Sequence, residues 1–191
     1  PFCYIGMYRI NKLSEQYPLE IEWRPFEIHP EIPKEGTYIN QLPFPPGYMD
    51  RVMMNMQRLA AEDGISLYFA EKLPNSRLAL YISEYAKEKG KFDDFHKLVF
   101  NAYWKEGRDI GNLSVLLDLA EKAGLDGNQI KKYLKSDKTQ KKMSKHLVEI
   151  RKLGITGVPA FIIGDKLILG AQPYDIFEEV IRKELTQGEC N

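Results

Sequence analysis

The spacing of apolar residues changes period three times along the chain, and each change predicts a different class of element. Between Cys3 and about Tyr17, Ile5, Tyr8 and Leu13 lie roughly one or two helical turns apart, which predicts a helix ended by Pro18. Leu19-Glu20-Ile21-Glu22-Trp23-Arg24 then alternates apolar and polar residues and predicts a strand running into Pro25. A parallel strand is expected ahead of the first helix. From His29 to Gly47 the chain carries Pro30, Pro33, Pro43, Pro45 and Pro46 with Gly36 and Gly47, the composition of a long loop. Loops of that length link domains or face a substrate.

Tyr48 to Leu153 reads as helical throughout. The expected segments are Tyr48–Asp63, Ser76–Lys89, Phe92–Glu106, Asn112–Ala123, Asn128–Leu134 and Lys138–Leu153. Gly64, Gly90, Gly107, Gly124 and Gly154 stand where C-terminal caps belong, and Asn75, Asn112 and Asp137 where N-caps belong. The period then returns to that of strands. Ala160–Ile163 and Lys166–Leu169 flank the turn Gly164-Asp165, which predicts a hairpin. A final helix should bury Ile176, Phe177, Val180, Ile181 and Leu185 on one face.

Without the helical stretch, this order is βαβ followed by ββα. The fold expected is α/β, thioredoxin-like, with an inserted all-helical domain. Residues 1–47 and 154–191 would form the discontinuous thioredoxin-like domain, its first strand absent, and 48–153 the insertion. A length of 191 residues with 43% hydrophobic composition suffices for one large domain or a small one carrying an insertion.

Charge and cysteine content narrow the function classes. Lys plus Arg and Asp plus Glu both number 27, so nothing in the balance points to nucleic acid or an anionic membrane. No apolar run approaches the roughly 20 residues needed to span a bilayer. Cys3 and Cys190 are the two cysteines, too few for a disulfide-stapled secreted scaffold, and favour a reducing, cytoplasmic setting. His29, His96 and His146 lack metal-ligand spacing. Phe92, Phe95, Val99, Tyr103 and Trp104 follow a helical core pattern, and the lysines of 131–145 read as a solvated face. Neither a metal nor a bound cofactor is expected.

The candidate chemistry lies at the two ends. The opening Pro1-Phe2-Cys3 reads as the last three residues of a Cys-Pro-Phe-Cys motif, with the first cysteine expected just before Pro1. A cysteine at a helix start sits beside unpaired N–H groups and the positive end of the helix dipole, which favours its thiolate. Such a thiolate attacks a disulfide, and a second cysteine one turn on is placed to resolve the mixed disulfide. Cys3 would be that second, catalytic thiol; Pro1 suits a first helical turn and Phe2 offers an apolar surface. Taken alone, such a cysteine is more often a small core residue of the first helix. At the other end, Val158-Pro159 immediately precedes a buried strand, where proline removes a ladder donor. A cis bond at a tight turn would accommodate it. Glu22 or Arg24 could serve as a proton-transfer group beneath the site, and Cys190 reads as a free thiol on a frayed tail.

Together, Pro1-Phe2-Cys3-Tyr4-Ile5-Gly6, Glu22-Trp23-Arg24-Pro25-Phe26-Glu27, Gly154-Ile155-Thr156-Gly157-Val158-Pro159-Ala160-Phe161 and Gly170-Ala171-Gln172-Pro173 resemble the DsbA-like thiol–disulfide oxidoreductases, in their cytoplasmic FrnE-like branch. The resemblance implies a thioredoxin fold with a helical insertion, a nucleophilic cysteine before Pro1, a resolving Cys3 and a cis Pro159. It implies substrate contacts from Pro1, Phe2, Val158 and Pro159, and protein or peptide thiols and disulfides as partners. Two alternatives stay open: a kappa-like glutathione transferase or isomerase, with glutathione as co-substrate, and a binding protein without catalysis. The sequence leaves the oligomeric state open.

Overall fold

Burial is concentrated on the first helix, because partners pack against several of its sides. A computed structural model describes residues 1–188, so Cys190 lies outside the described residues. Helix α1 spans Phe2–Ser14 and buries Tyr4, Ile5, Gly6, Met7, Arg9, Ile10 and Leu13. Tyr8, by contrast, faces solvent.

Its lower half meets the C-terminal hairpin. Strands β3 (Ala160–Ile163) and β4 (Lys166–Leu169) pair antiparallel in the expected register, and the last helix, α8 (Tyr174–Gly188), packs against them. Ile10 and Leu13 of α1 share one core with Ile168, Phe177 and Ile181, joined by Phe161 and Ile163. Phe161 and Phe177 meet edge to face, centroids 4.8 Å apart. Period-2 alternation sends Ile162, Leu167 and Leu169 outward. The face of α8 is narrower than its sequence suggests: Phe177 and Ile181 are buried and Val180 is partly buried, but Ile176 and Leu185 are exposed. A hairpin two strands wide covers only the centre of that helix.

The helical stretch comprises α2 (Tyr48–Glu62), α3 (Arg77–Glu88), α4 (Phe92–Trp104), α5 (Leu113–Lys122), α6 (Gly127–Leu134) and α7 (Asp137–Lys152). All five expected cap glycines take φ between +64° and +79°. Asn112 accepts from the Ser114 N–H and caps α5, and Asn75 accepts from the Arg77 N–H. Asp137 is the first residue of α7 itself. Asp126 caps α6 by accepting from Asn128 and Gln129. Helices α3 to α6 enclose a core containing Ile82, Phe95, Val99, Leu116, Leu119 and Ile130. Helix α2 shares its core with α1 instead, through Leu59, Ala60 and Ile5.

Two expectations are corrected. The segment Leu19–Arg24 has no strand assignment, because a strand needs a hydrogen-bonded neighbour and none pairs with it among the described residues. It runs between two cores: Leu19 joins the α1–α8 core, while Trp23 packs on Phe92 and His96, and Lys87 donates to the Trp23 carbonyl. Second, the stretch read as wholly helical contains β2 (Lys72–Leu73), which pairs with β1 (Thr37–Tyr38) inside the long loop. That loop is also tied to the start of α3. Arg77 donates to Glu27 and to the Pro30 carbonyl, and Asn75 to the Ile32 carbonyl.

Candidate functional site

The start of α1 places the candidate thiol. The Pro1 carbonyl accepts the Ile5 N–H at 3.0 Å and closes the first turn. Phe2 lies against the cluster of Ile5, Leu59, Ala60, Ile65, Leu67 and Ala171. The next residue, Tyr4, is buried and held twice: its hydroxyl donates to Asn101 at 2.8 Å, and its ring stacks on Phe100. Between these two anchored rings Cys3 is half-buried and a free thiol. Burial pushes its thiol above the ordinary cysteine range, so it is protonated at neutral pH.

The second candidate group comes to the same helix. Gly6, one turn beyond Cys3, faces Pro159 and Phe161. A Cβ on Gly6 would sit 2.8 Å from the tip of the Phe161 ring and 3.4 Å from Pro159 Cγ. Glycine here permits the approach of α1 to the loop. Substituting Gly6→Ala is therefore expected to destabilise the fold. Overpacking costs about 1–3 kcal/mol, against a helix-propensity gain of at most about 1 kcal/mol. Urea denaturation checks the sign.

The loop itself is fixed from below. The Val158–Pro159 bond is cis, and the Pro159 carbonyl accepts the Gly170 N–H at 2.8 Å, extending the β3–β4 ladder by one rung. Pro159 is buried and Val158 half-buried. Among the described residues, neither the N–H nor the C=O of Val158 has a hydrogen-bond partner.

Pro1, Phe2, Cys3, Val158 and Pro159 thus lie on α1 and on the loop that packs against it. Glu22 and Arg24 do not join them. They pair with each other at 3.0 Å, Glu22 reaches Lys87, and Arg24 donates to Glu149 and His146 of α7. Neither takes the proton-transfer position suggested by the sequence. Among the described residues, no group of three or more His, Cys, Asp or Glu side chains is arranged to hold a metal ion. No helix among them is long and apolar enough to cross a membrane.

Three neighbours were missed by sequence reading. Gly6 enters the sequence reading only as the last residue of the opening motif, with no packing role. Asn101 carries no signal beyond its place on α4. Arg9 carried one: it follows Ile5 by four residues and precedes Leu13 by four, so it lies on the apolar face of α1. Beside the site, His96 packs among Trp23, Phe92 and Phe100 at 4.7–4.9 Å between centroids. Burial pushes its pKa down to about 4.

Known proteins are similar to this chain in sequence and in fold. The chain is 32% identical over 189 residues to the uncharacterized protein YwbO of Bacillus subtilis (strain 168), covering 96% of this chain and 92% of the relative. It is 25% identical over 175 residues to a 2-hydroxychromene-2-carboxylate isomerase of Pseudomonas putida, covering 89% and 83% of the two chains. In fold it is similar to a probable DsbA oxidoreductase from Streptomyces coelicolor, with a TM-score of 0.86, 22% identity and coverage of 97% and 86%. The family model of the DSBA-like thioredoxin domain matches residues 1–182, from the Cys3 helix through the proline loop and well into α8. This chain belongs to the DSBA-like thioredoxin-domain family.

Proposed function

We propose that this protein is a thiol–disulfide oxidoreductase acting on protein or peptide disulfides through a Cys-Pro-Phe-Cys site, with Cys3 as the resolving thiol. The first cysteine of that site is the residue ahead of Pro1. The carrying observation is the position of the half-buried Cys3 thiol, one turn from the helix face that touches Pro159. Its raised pKa supports the assignment. A thiol that stays protonated is a weak attacker, whereas a resolving thiol acts only after the mixed disulfide has formed beside it.

The steps balance as follows. The first cysteine's thiolate attacks one sulfur of the substrate disulfide and expels one substrate thiolate. Cys3 gives its proton to the substrate thiolate already released and attacks the first cysteine's sulfur, expelling the second thiolate and closing the enzyme disulfide. Two electrons pass from enzyme to substrate, and the same steps in reverse oxidise a substrate dithiol. The main-chain groups of Val158, unpaired among the described residues, suit an extended substrate segment added as a strand. Pro1 and Phe2 would form the adjoining surface. No metal or bound cofactor enters this scheme, and the low cysteine content favours a reducing, cytoplasmic setting.

The isomerase relative favours a second reading, a kappa-like glutathione transferase or isomerase site with serine before Pro1. One experiment separates the two. Full-length protein is treated with a peptide disulfide and mapped by mass spectrometry. The expected result is a disulfide between Cys3 and the residue before Pro1, with two peptide thiols released. A Cys3 that stays free while the peptide disulfide persists would overturn the redox reading.

A further inference from the structure

The most fully coordinated buried charge in the described chain is Arg9, 1% exposed. Its Nε donates to Asp63 Oδ2 at 2.6 Å, and one Nη to Glu62 at 3.2 Å and the Leu59 carbonyl at 3.4 Å. The other Nη donates to two successive carbonyls, Ala171 at 3.1 Å and Gln172 at 2.5 Å. The guanidinium fork thus joins α1 and the end of α2 to the turn that follows β4. A planar group with five donors in fixed directions can do this; an ammonium cannot reach both sides at once.

That turn is also the support of the proline loop. Its Gly170 N–H donates to the Pro159 carbonyl, and the Gln172 side-chain amide closes back on the Leu169 carbonyl. Arg9 therefore holds the far side of the same short segment that holds Pro159. Gly6, on the same helix, touches Pro159 and Phe161 directly. Helix α1 and the loop are fixed to each other at two places, one by contact and one through Arg9.

We propose that Arg9 is a positioning residue: it sets the spacing between the Cys3 helix and the Val158–Pro159 loop, and so the width of the slot that receives substrate main chain. The carboxylates of Asp63 and Glu62 hold the guanidinium in the orientation that reaches Ala171 and Gln172. This assignment rests on the reading of Cys3 and Val158–Pro159 as one site. The spacing itself can be measured without any activity.

The test uses R9K in the full-length protein, which keeps the charge beside Asp63 and loses the fork. A second variant, Arg9→Met with Asp63→Leu, removes the guanidinium together with its buried carboxylate partner, while the more exposed Glu62 keeps Arg58. Amide hydrogen exchange is followed by NMR. The Gly170 amide and segment 156–172 are expected to exchange at least about tenfold faster in either variant, with α3 to α6 unchanged. The KM for a peptide disulfide should rise by about tenfold, while the rate with a small-molecule disulfide holds. Unchanged exchange at Gly170 in whichever variant folds, or an equal rise throughout the chain, would overturn the assignment. So would a loosened loop with an unaltered peptide KM. If the unsubstituted protein exchanges no disulfides yet R9K loosens only the loop, the redox reading falls and the spacing role stands.

Discussion

Replacing Cys3 with serine is expected to turn the protein from an exchanger into a trap. Serine has nearly the size of cysteine, so the half-buried position between Phe2 and Tyr4 is preserved. The attacking cysteine proposed ahead of Pro1 would still open a substrate disulfide, but nothing one turn away would resolve the adduct. Resolution then waits for an outside thiol at millimolar concentration. Well-placed intramolecular groups reach effective molarities of about 10⁵–10⁸ M, so even a poorly optimised site should lose roughly a thousandfold or more in turnover. Non-reducing electrophoresis with a peptide disulfide should show a stable adduct that dithiothreitol releases. Unchanged turnover and no adduct, in a variant that melts like the parent, would mean Cys3 is a core residue. The raised thiol pKa adds a check: alkylation of Cys3 should reach half its limiting rate at a higher pH than an ordinary cysteine, which is half ionised at about 8.5.

The second large effect is acid sensitivity from His96. In the folded protein its pKa is pushed down to about 4 by burial among Trp23, Phe92 and Phe100. In the unfolded chain a histidine titrates near 6.5. Between these values the unfolded state binds the extra proton. Stability from this residue is therefore present above about pH 6.5 and falls as the pH drops towards 4. A gap of this size corresponds to about 3 kcal/mol at the acid end, less whatever solvent reaches the half-buried ring. His96→Phe keeps the aromatic stack and removes the titration. Urea unfolding at pH 7 and pH 4 should show a smaller acid loss in the variant than in the parent. Equal losses would show that the ring is freely hydrated.

The elements that were legible in the sequence are those whose signal is local. Helices α2 to α7 appeared within a few residues of their observed ends, because glycine caps and apolar spacing act within one or two turns. The β3–β4 hairpin was legible for the same reason, its register following from the two-residue turn. Other features depend on a partner distant in the chain. The alternation of Leu19–Arg24 marks an extended backbone, but a ladder also requires a neighbour. Strands β1 and β2 are two residues each, too short for any period, and exist through each other. Charge was misleading at Glu22 and Arg24, whose partners lie on α3 and α7 rather than beside Cys3.

By itself the sequence determined where helices and the hairpin lie, and which groups are the candidates for chemistry: a cysteine at a helix start and a proline at the head of a strand. Both follow from residue type and short-range spacing. Only the tertiary structure decided that the helix of the one packs on the loop of the other. That meeting depends on the missing side chain of Gly6, on the ring of Phe161 that fills its place, and on Arg9, whose partners come from two distant parts of the chain. Shape complementarity and buried hydrogen bonds between distant segments leave no periodic trace, so packing alone could bring the two ends of the site together.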